Sequence, residues 1–391
     1  MCDKLKIMIN YGQHYLDKKD IDAVNNVLKK KFLTQGNEIE KFEKNLCKYF
    51  GSKYALAVSS GTAALNMTSK LLDWKKGDLI FCSPITFVAS SNCILNQNAS
   101  PYFIDINKDT FNLDTELLKF QLKNKEISKK AKAIIATDFG GNPCDWIELK
   151  KISRKYNLTL INDNCHALGS SMDSNKGYAV NFADIVIQSY HAVKNITTGE
   201  GGSILTNNKK IFTQAKLLRS HGIKKNINHS KPWEYEMLKL SSNNRLTDIQ
   251  ASLGSSQIKK LNKFVNFRRN LAKIYDKNFS NSDYFKKQKI DKKNKSAYHL
   301  YPILVNFDKF KKKRAELFEY LKKRKIFLQV HYKPIYKFKY YRNIKIFRNI
   351  SLKNAESFYK KEISLPIYYS LSKNNQIRVI NYIKNFLNSK R

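Results

Sequence analysis

Between Tyr54 and Asn207 the chain alternates two patterns: short apolar runs rich in β-branched residues, and longer stretches in which apolar positions return every three or four residues. The short runs predict strands over Ala55–Ser59, Leu79–Cys82, Pro101–Asp105, Ala133–Thr137, Thr159–Asn162, Ile185–Gln188 and Gly202–Thr206. The longer stretches predict helices over Thr62–Leu72, Phe87–Leu95, Asp114–Leu122, Asp145–Tyr156 and Lys209–Arg219. Strand and helix in turn imply a seven-stranded, mainly parallel sheet covered on both faces, so the expected class is α/β.

Ahead of the sheet, residues 20–31 and 37–49 read as amphipathic helices joined by LTQG at 33–36. Behind it, Ile249, Leu253, Ile258, Leu261, Phe264 and Leu271 recur near helical spacing and predict one long helix from Leu246 to about Lys277. The pattern then changes. HLYPILVNF (299–307), FLQVHY (327–332) and the helix-like 311–325 predict a smaller α+β lobe. Two domains are expected: an arm with a large domain over 1–250, and a linking helix with a small C-terminal domain over 251–391. The Lys/Asn-rich stretch 285–295 reads as mobile, and no internal repeat is evident.

Composition narrows the function. At 42% hydrophobic and 12% aromatic content, the chain is not a disordered one. Its net charge of +40 is uneven, because residues 1–250 carry 36 basic and 24 acidic side chains while 251–391 carry 36 and 8. Nucleic acid is therefore a partner to weigh. Against it, 311–325 turns Ala315, Leu317, Phe318 and Leu321 toward a core and its basic groups outward, and no helix-turn-helix or RNA-binding aromatic motif is present. A solvated lysine face is expected, with at most non-specific, salt-sensitive binding. Cys2, Cys47, Cys82, Cys93, Cys144 and Cys165 lie apart, with no CxxC pair and no zinc spacing, so reduced thiols, no metal site and a cytoplasmic protein are expected. The most apolar window, 79–95, is broken by Pro84, Thr86, Ser90 and Asn92, and neither a membrane span nor a signal peptide is expected.

In α/β sheets ligands gather beyond the C-terminal strand ends. After the first strand, Ser59-Ser60-Gly61-Thr62 opens a helix whose free N–H groups suit a phosphate; a plain N-cap by Ser60 is the simpler alternative. The fifth strand runs into Asp163 and His166. A carboxylate there can keep a heterocyclic nitrogen protonated, or merely cap a loop, and a lone histidine is often structural. Lys194 differs from the many surface lysines because it follows the sixth strand among small and hydroxylated residues, with almost no other charge nearby. Partial desolvation would lower its pKa and make it a nucleophile toward an aldehyde. A phosphate site, a carboxylate for a pyridine nitrogen and a lysine 31 positions later together match the needs of pyridoxal 5′-phosphate.

These residues lie in segments that resemble the DegT/DnrJ/EryC1/StrS sugar aminotransferases, of the fold type I, aspartate-aminotransferase-like architecture. The resemblance spans LTQG (33–36), SSGTAAL (59–65), SPITFVAS (83–90), DNCHALGS (163–170), SYHAVKNITTGEGG (189–202), RSHGI (219–223), NNRLTDIQASLG (243–254), HLYPI (299–303), VHYKPIY (330–336) and SLP (364–366). It implies a catalytic Lys194 joined to the cofactor and Asp163 on the ring nitrogen. It also implies His166 near the ring hydroxyl, where many members have Gln, Phe87 on the pyridine face, and Gly61, Thr62 and Ser189 on the phosphate. Asn243 matches the position that reaches that phosphate across a homodimer interface with a shared active site. The implied donor is L-glutamate and the acceptor a nucleotide-linked 4-keto-6-deoxy sugar, with Arg219, His221, Lys333 and Tyr336 as candidates to bind it.

LTQG, DNCHALGS and VHYKPIY most resemble the branch that aminates UDP-4-keto-6-deoxy-L-AltNAc toward pseudaminic acid-type surface glycans; aminotransferases for UDP-bacillosamine, legionaminic acid or GDP-perosamine are the alternative. A non-catalytic regulatory member is a further alternative, against which the set Lys194, Asp163 and Phe87 argues. Two positions depart from the family pattern: Ser241 stands where Gly is usual two residues before Asn243, and Tyr190 replaces the usual Phe. Lys194 separates the chain from the dehydratase branch, which carries histidine there.

Overall fold

The computed structural model describes residues 8–225, 231 and 233–389, so Cys2 lies outside the described residues. Seven strands form the main sheet: β1 (Tyr54–Val58), β2 (Leu79–Cys82), β3 (Ser100–Phe103), β4 (Ala131–Thr137), β5 (Thr159–Asp163), β6 (Ile185–Ser189) and β7 (Gly202–Thr206). Their spatial order is β1-β7-β6-β5-β4-β2-β3. β7 runs antiparallel to both its neighbours, and every other pairing is parallel. Successive residues of one strand feed opposite cores: Ile134 and Ala136 pack with Phe42, Leu46 and Trp146, whereas Ala133 and Ile135 pack with Leu56, Leu65 and Ile187. Both faces are covered, which is why these strands read as continuous apolar runs.

Local chemistry sets the helix starts. Ser60, Asp114, Asp145 and Asn208 each accept backbone N–H bonds at the head of the helices Gly61–Leu71, Thr115–Leu122, Trp146–Lys155 and Lys209–Leu218. The long helix expected from Leu246 is instead two, Asp248–Ile258 and Leu261–Asn278. The apolar spacing continues across the break, but Lys260 there turns its ammonium onto Asp17 and Asp20, at 2.5 and 2.7 Å. The second helix serves two cores, with Leu261, Phe264 and Val265 in the sheet layer and Leu271, Ala272 and Tyr275 in the C-terminal lobe.

That lobe holds an antiparallel sheet of β8 (Phe285–Lys287), β9 (Tyr301–Val305) and β10 (Glu362–Leu365), backed by the helices Arg314–Lys322 and Lys373–Asn388. Two expectations change here. The stretch 285–295 is held by pairing, Phe285–Lys287 on β9 and Asn294–Lys295 on Ser171–Met172. FLQVHY is no strand: it makes a single bridge from Gln329 to Ser364, because its next residues turn into the cleft described below. No helix among the described residues is long and apolar enough to cross a membrane. The described cysteines are all unpaired thiols.

Candidate active site

A cleft of about 770 Å³ opens where the C-terminal ends of β5 and β6 and the start of the helix Gly61–Leu71 face His299 and residues 329–333. Gly61, Thr62, Phe87, Asp163, His166, Ser189, Lys194 and Lys333 line it. Eight of the residues singled out in the sequence thus meet in one place, although they are spread over more than 270 positions.

Asp163 ends β5 and is buried, at 4% exposure. Its Oδ2 accepts from Ser90 Oγ at 2.6 Å and Thr137 Oγ1 at 3.4 Å, and its Oδ1 accepts from the Cys165 N–H at 3.2 Å. Thr137 sits directly opposite it in the β4–β5 register. The carboxylate is therefore oriented before any ligand arrives.

Lys194 lies on the turn between β6 and β7. The turn is tied down by the Lys194 N–H on His191 O, by Thr197 Oγ1 on Tyr190 O, and by the Asn195 amide on Leu168 O and Ala297 O. Lys194 Nζ stands 3.5 Å from His299 Nε2. Burial lowers the pKa of this amine, and Cys165 and Asp163 act in the opposite direction. Tyr190 accommodates its extra hydroxyl beside Gln188 Oε1 and Ser203 Oγ, at 2.8 and 2.6 Å.

Two glycines shape a tight junction at the helix start. A Cβ on Gly61 would come within 2.9 Å of Ser189 Cβ, and one on Gly202 within 2.4 Å of the Ser60 backbone. The helix start therefore packs tightly against the end of β6 at Ser189 and the start of β7 at Gly202, an approach that a side chain on either glycine would block.

The opposite wall is rich in imidazole. His166 Nδ1 accepts from the Gly140 N–H at 3.4 Å, its Nε2 is 3.1 Å from Tyr332 Oη, and its ring centroid is 4.6 Å from that of His299. Burial, reinforced by the Lys194 amine, pushes His166 and His299 well below the usual imidazole range and His331 down to about 3. Arg268, itself buried, braces this wall by donating to the Ile367 and His299 carbonyls. Phe87, at 55% exposure, stands at the rim with its ring 6.4 Å from that of Tyr332.

Four candidates lie elsewhere. Tyr336, only 2% exposed, packs on Phe103, donates to Glu356 at 3.1 Å, accepts from the Leu352 N–H at 3.3 Å, and does not line the cleft. Arg219 is paired with Glu43 at 2.7 Å and tied to Ala57 O, so it locks an N-terminal helix to β1. His221 is exposed in a left-handed turn. Asn243 is exposed, its Oδ1 accepting from the Arg245 N–H, and Ser241 Oγ is spent on Leu218 O at 2.6 Å. Conversely, Ser90, Thr137, His299, His331 and Tyr332 were not singled out. HLYPI and VHYKPIY carried the last three, but only Lys333 and Tyr336 were drawn from those motifs.

The set fits pyridoxal 5′-phosphate by its own chemistry: a helix start that a side chain would crowd, a pre-oriented buried carboxylate and a desolvated amine on one cleft. Among the described residues no cluster of metal-ligating side chains is found.

Comparison with known proteins gives the family and the fold. The chain is 40% identical, over 93% of its length and 94% of the relative's, to the UDP-4-amino-4,6-dideoxy-N-acetyl-beta-L-altrosamine transaminase of Campylobacter jejuni subsp. jejuni serotype O:23/36 (strain 81-176). Its fold matches Helicobacter pylori PseC, described as an aminotransferase involved in the biosynthesis of pseudoaminic acid, with TM-score 0.89 and 34% identity over 98% of this chain and 100% of that one. It also matches the PLP form of the putative sugar aminotransferase Spr1654 of Streptococcus pneumoniae, with TM-score 0.86 and 26% identity over 97% and 99%. The DegT/DnrJ/EryC1/StrS aminotransferase family matches residues 14–384. With lysine, carboxylate and tight helix start on one cleft of this fold, the chain belongs to the DegT/DnrJ/EryC1/StrS aminotransferase family.

Proposed function

We propose that the protein transfers the amino group of L-glutamate to C4 of a UDP-linked 4-keto-6-deoxy sugar, forming UDP-4-amino-4,6-dideoxy-β-L-AltNAc for pseudaminic acid-type glycans. The observation that carries the reaction class is the desolvated Lys194 amine on the same cleft as the buried, pre-oriented Asp163 carboxylate. The choice of sugar is supported by the identity with the Campylobacter transaminase.

Bound pyridoxal 5′-phosphate supplies an electron sink that makes the α-proton of an amine acidic. Lys194 Nζ would hold the cofactor and, once released, would serve as the base that moves that proton. Its depressed pKa supports this role, because a larger share of the amine is neutral near pH 7. Asp163 would pair with the ring nitrogen and favour its protonated form, and Ser90 and Thr137 hold the carboxylate in place for it. Gly61, Thr62 and Ser189 would hold the phosphate, Phe87 would cover the ring, and His166 would lie near its hydroxyl; all line the same cleft. Lys333, at the mouth, is the cation for the sugar nucleotide.

A cytoplasmic homodimer completes the site, with Asn243 reaching the partner's phosphate. The exposed Trp233, Tyr235, Met237, Leu238 and Leu240, just ahead of Asn243, support an interface there. The test is a panel of keto-sugar nucleotides assayed for glutamate-dependent amination, with visible absorbance followed on the loaded enzyme. Turnover of the UDP-L-AltNAc precursor and a spectral shift with glutamate are expected. Turnover confined to a GDP-linked or bacillosamine-type acceptor would move the substrate, and a protein that never reacts with glutamate would end the reading.

A further inference from the structure

Behind the His331 wall lies a polar chain that none of these roles uses. Glu362, on β10, has no exposure to solvent. The His331 N–H donates to its Oε2 at 3.0 Å, and its Oε1 lies 2.6 Å from Ser364 Oγ. Ser364 Oγ lies in turn 2.8 Å from His331 Nδ1. Glu362 and Ser364 are two apart on one strand and so share a face. His331 is brought to that face by the Ser364 N–H on Gln329 O, at 2.8 Å. The imidazole lines the cleft, and with Nδ1 engaged by Ser364, Nε2 is the ring nitrogen left for a ligand.

A hydroxyl between a carboxyl and an imidazole transmits a direction, because it donates one proton only. If Glu362 is ionised, Ser364 donates to it and must accept from His331 Nδ1–H, so Nε2 is bare and accepts. If Glu362 is protonated, its acid proton is donated to Ser364, Ser364 donates to Nδ1, and Nε2 carries the ring's proton. Passing from the second state to the first releases one proton overall, and the imidazole stays neutral throughout.

We propose that the Glu362–Ser364–His331 chain sets the polarity of the cleft wall, presenting His331 Nε2–H as a neutral donor to an oxygen acceptor of the sugar nucleotide and converting it to an acceptor when Glu362 ionises. This deepens the transaminase reading and rests on it. His331 and Glu362 act at different distances: His331 touches the ligand, while Glu362 and Ser364 are positioning residues.

The surroundings support both conditions. Burial pushes the Glu362 carboxyl up to about 8, against the opposing pull of Ser364, the His331 N–H and Arg314. Arg314 packs from its helix and donates to the Glu362 carbonyl at 3.1 Å, and Tyr332 faces the carboxyl from the 327–332 segment. Around His331 stand the Tyr11 ring at 5.1 Å, Tyr332, Lys194, His166 and His299. Burial, with Lys194 as a lesser contribution, holds His331 neutral.

The test follows KM for the sugar nucleotide in the holoenzyme from about pH 6.5 to 9.5, beside the glutamate half-reaction, with histidine ¹⁵N NMR of the same protein. In the wild type KM is flat below about pH 8 and rises roughly five- to tenfold above it, the loss of one hydrogen bond, while the glutamate half-reaction does not share that limb. The His331 signals convert from the Nε2–H to the Nδ1–H tautomer over the same range. In Glu362→Gln the amide still donates to Ser364 and cannot ionise, so the tautomer and KM lose their pH dependence. Ser364→Ala breaks the chain and also flattens the profile, with KM raised at neutral pH. A wild-type His331 in the Nδ1–H form at pH 7, or a Glu362→Gln profile matching the wild type, overturns the proposal. If variants fail to fold, the wild-type NMR titration decides alone. A protein inert to glutamate would sink the transaminase reading, while the tautomer titration would still judge the chain.

Discussion

The floor and the wall of the cleft are built in opposite ways. On the floor, Asp163 and Lys194 end or follow adjacent parallel strands, and the partners of Asp163, Thr137 and Ser90, come from the neighbouring strand and from the helix Ala89–Leu95. On the wall, His299, His331 and Glu362 come from three separate segments of the C-terminal lobe and meet only when β9, β10 and residues 327–332 are assembled. The floor sets a desolvated amine on the same cleft as a buried, hydrogen-bonded carboxylate. The wall holds imidazoles kept neutral by burial, suited to hydrogen bonding.

The largest effect that breaks this contrast is expected at the floor. Lys194→Ala should lower kcat by about 10³-fold or more, the loss of both nucleophile and base, and borohydride should no longer fix cofactor to the chain. Steady-state kinetics and mass spectrometry check both. Asp163→Asn keeps the contacts to Ser90 and Cys165 but removes the charge, and a loss of roughly a hundredfold in kcat is expected, with little change in melting temperature.

At the wall the readout is pH. Glu362 has an ordinary value of 4.5 and is held at about 8 when folded, so folding favours the proton. Its contribution to stability is complete below about pH 4.5 and is lost as pH rises through 8. The melting temperature of the wild type should therefore fall between about pH 5 and 9 by several degrees more than that of Glu362→Gln, measured by calorimetry. The smallest effect is expected outside the cleft. Tyr336→Phe should leave KM for the sugar nucleotide within about twofold while costing ~1 kcal/mol of stability, because only the bonds to Glu356 and Leu352 are lost. A large KM change would return Tyr336 to the substrate.

Much of the floor was legible in the residue order. A charged side chain in an otherwise small and hydroxylated segment, as at Lys194, stands out locally, and strand ends of an α/β sheet are already known to converge. Strand positions fell within one or two residues of those observed, from Leu79–Cys82 to Gly202–Thr206, because burial on both faces leaves an unmistakable apolar run. The break before Leu261 was invisible because apolar spacing continues through it, and the partners that Lys260 meets there, Asp17 and Asp20, lie about 240 residues away. Residues 285–295 looked mobile because their order comes from partners at 171–172 and 301–305 rather than from their own composition. Tyr336 looked available because a tyrosine beside a lysine in a motif does not reveal which of the two is buried.

The order of amino acids by itself determined the class of fold, the strand ends that carry Asp163 and Lys194, and the kind of cofactor those groups suit. Each depends on spacing within a few dozen residues, where period and capping are written directly into the chain. The tertiary structure alone decided that Arg219 pairs with Glu43, that Tyr336 is buried on Phe103, that three neutral histidines face the lysine, and that Glu362 stands behind one of them. Those outcomes depend on which distant side chains exclude water from one another, and desolvation is a property of the assembled surroundings, not of any segment.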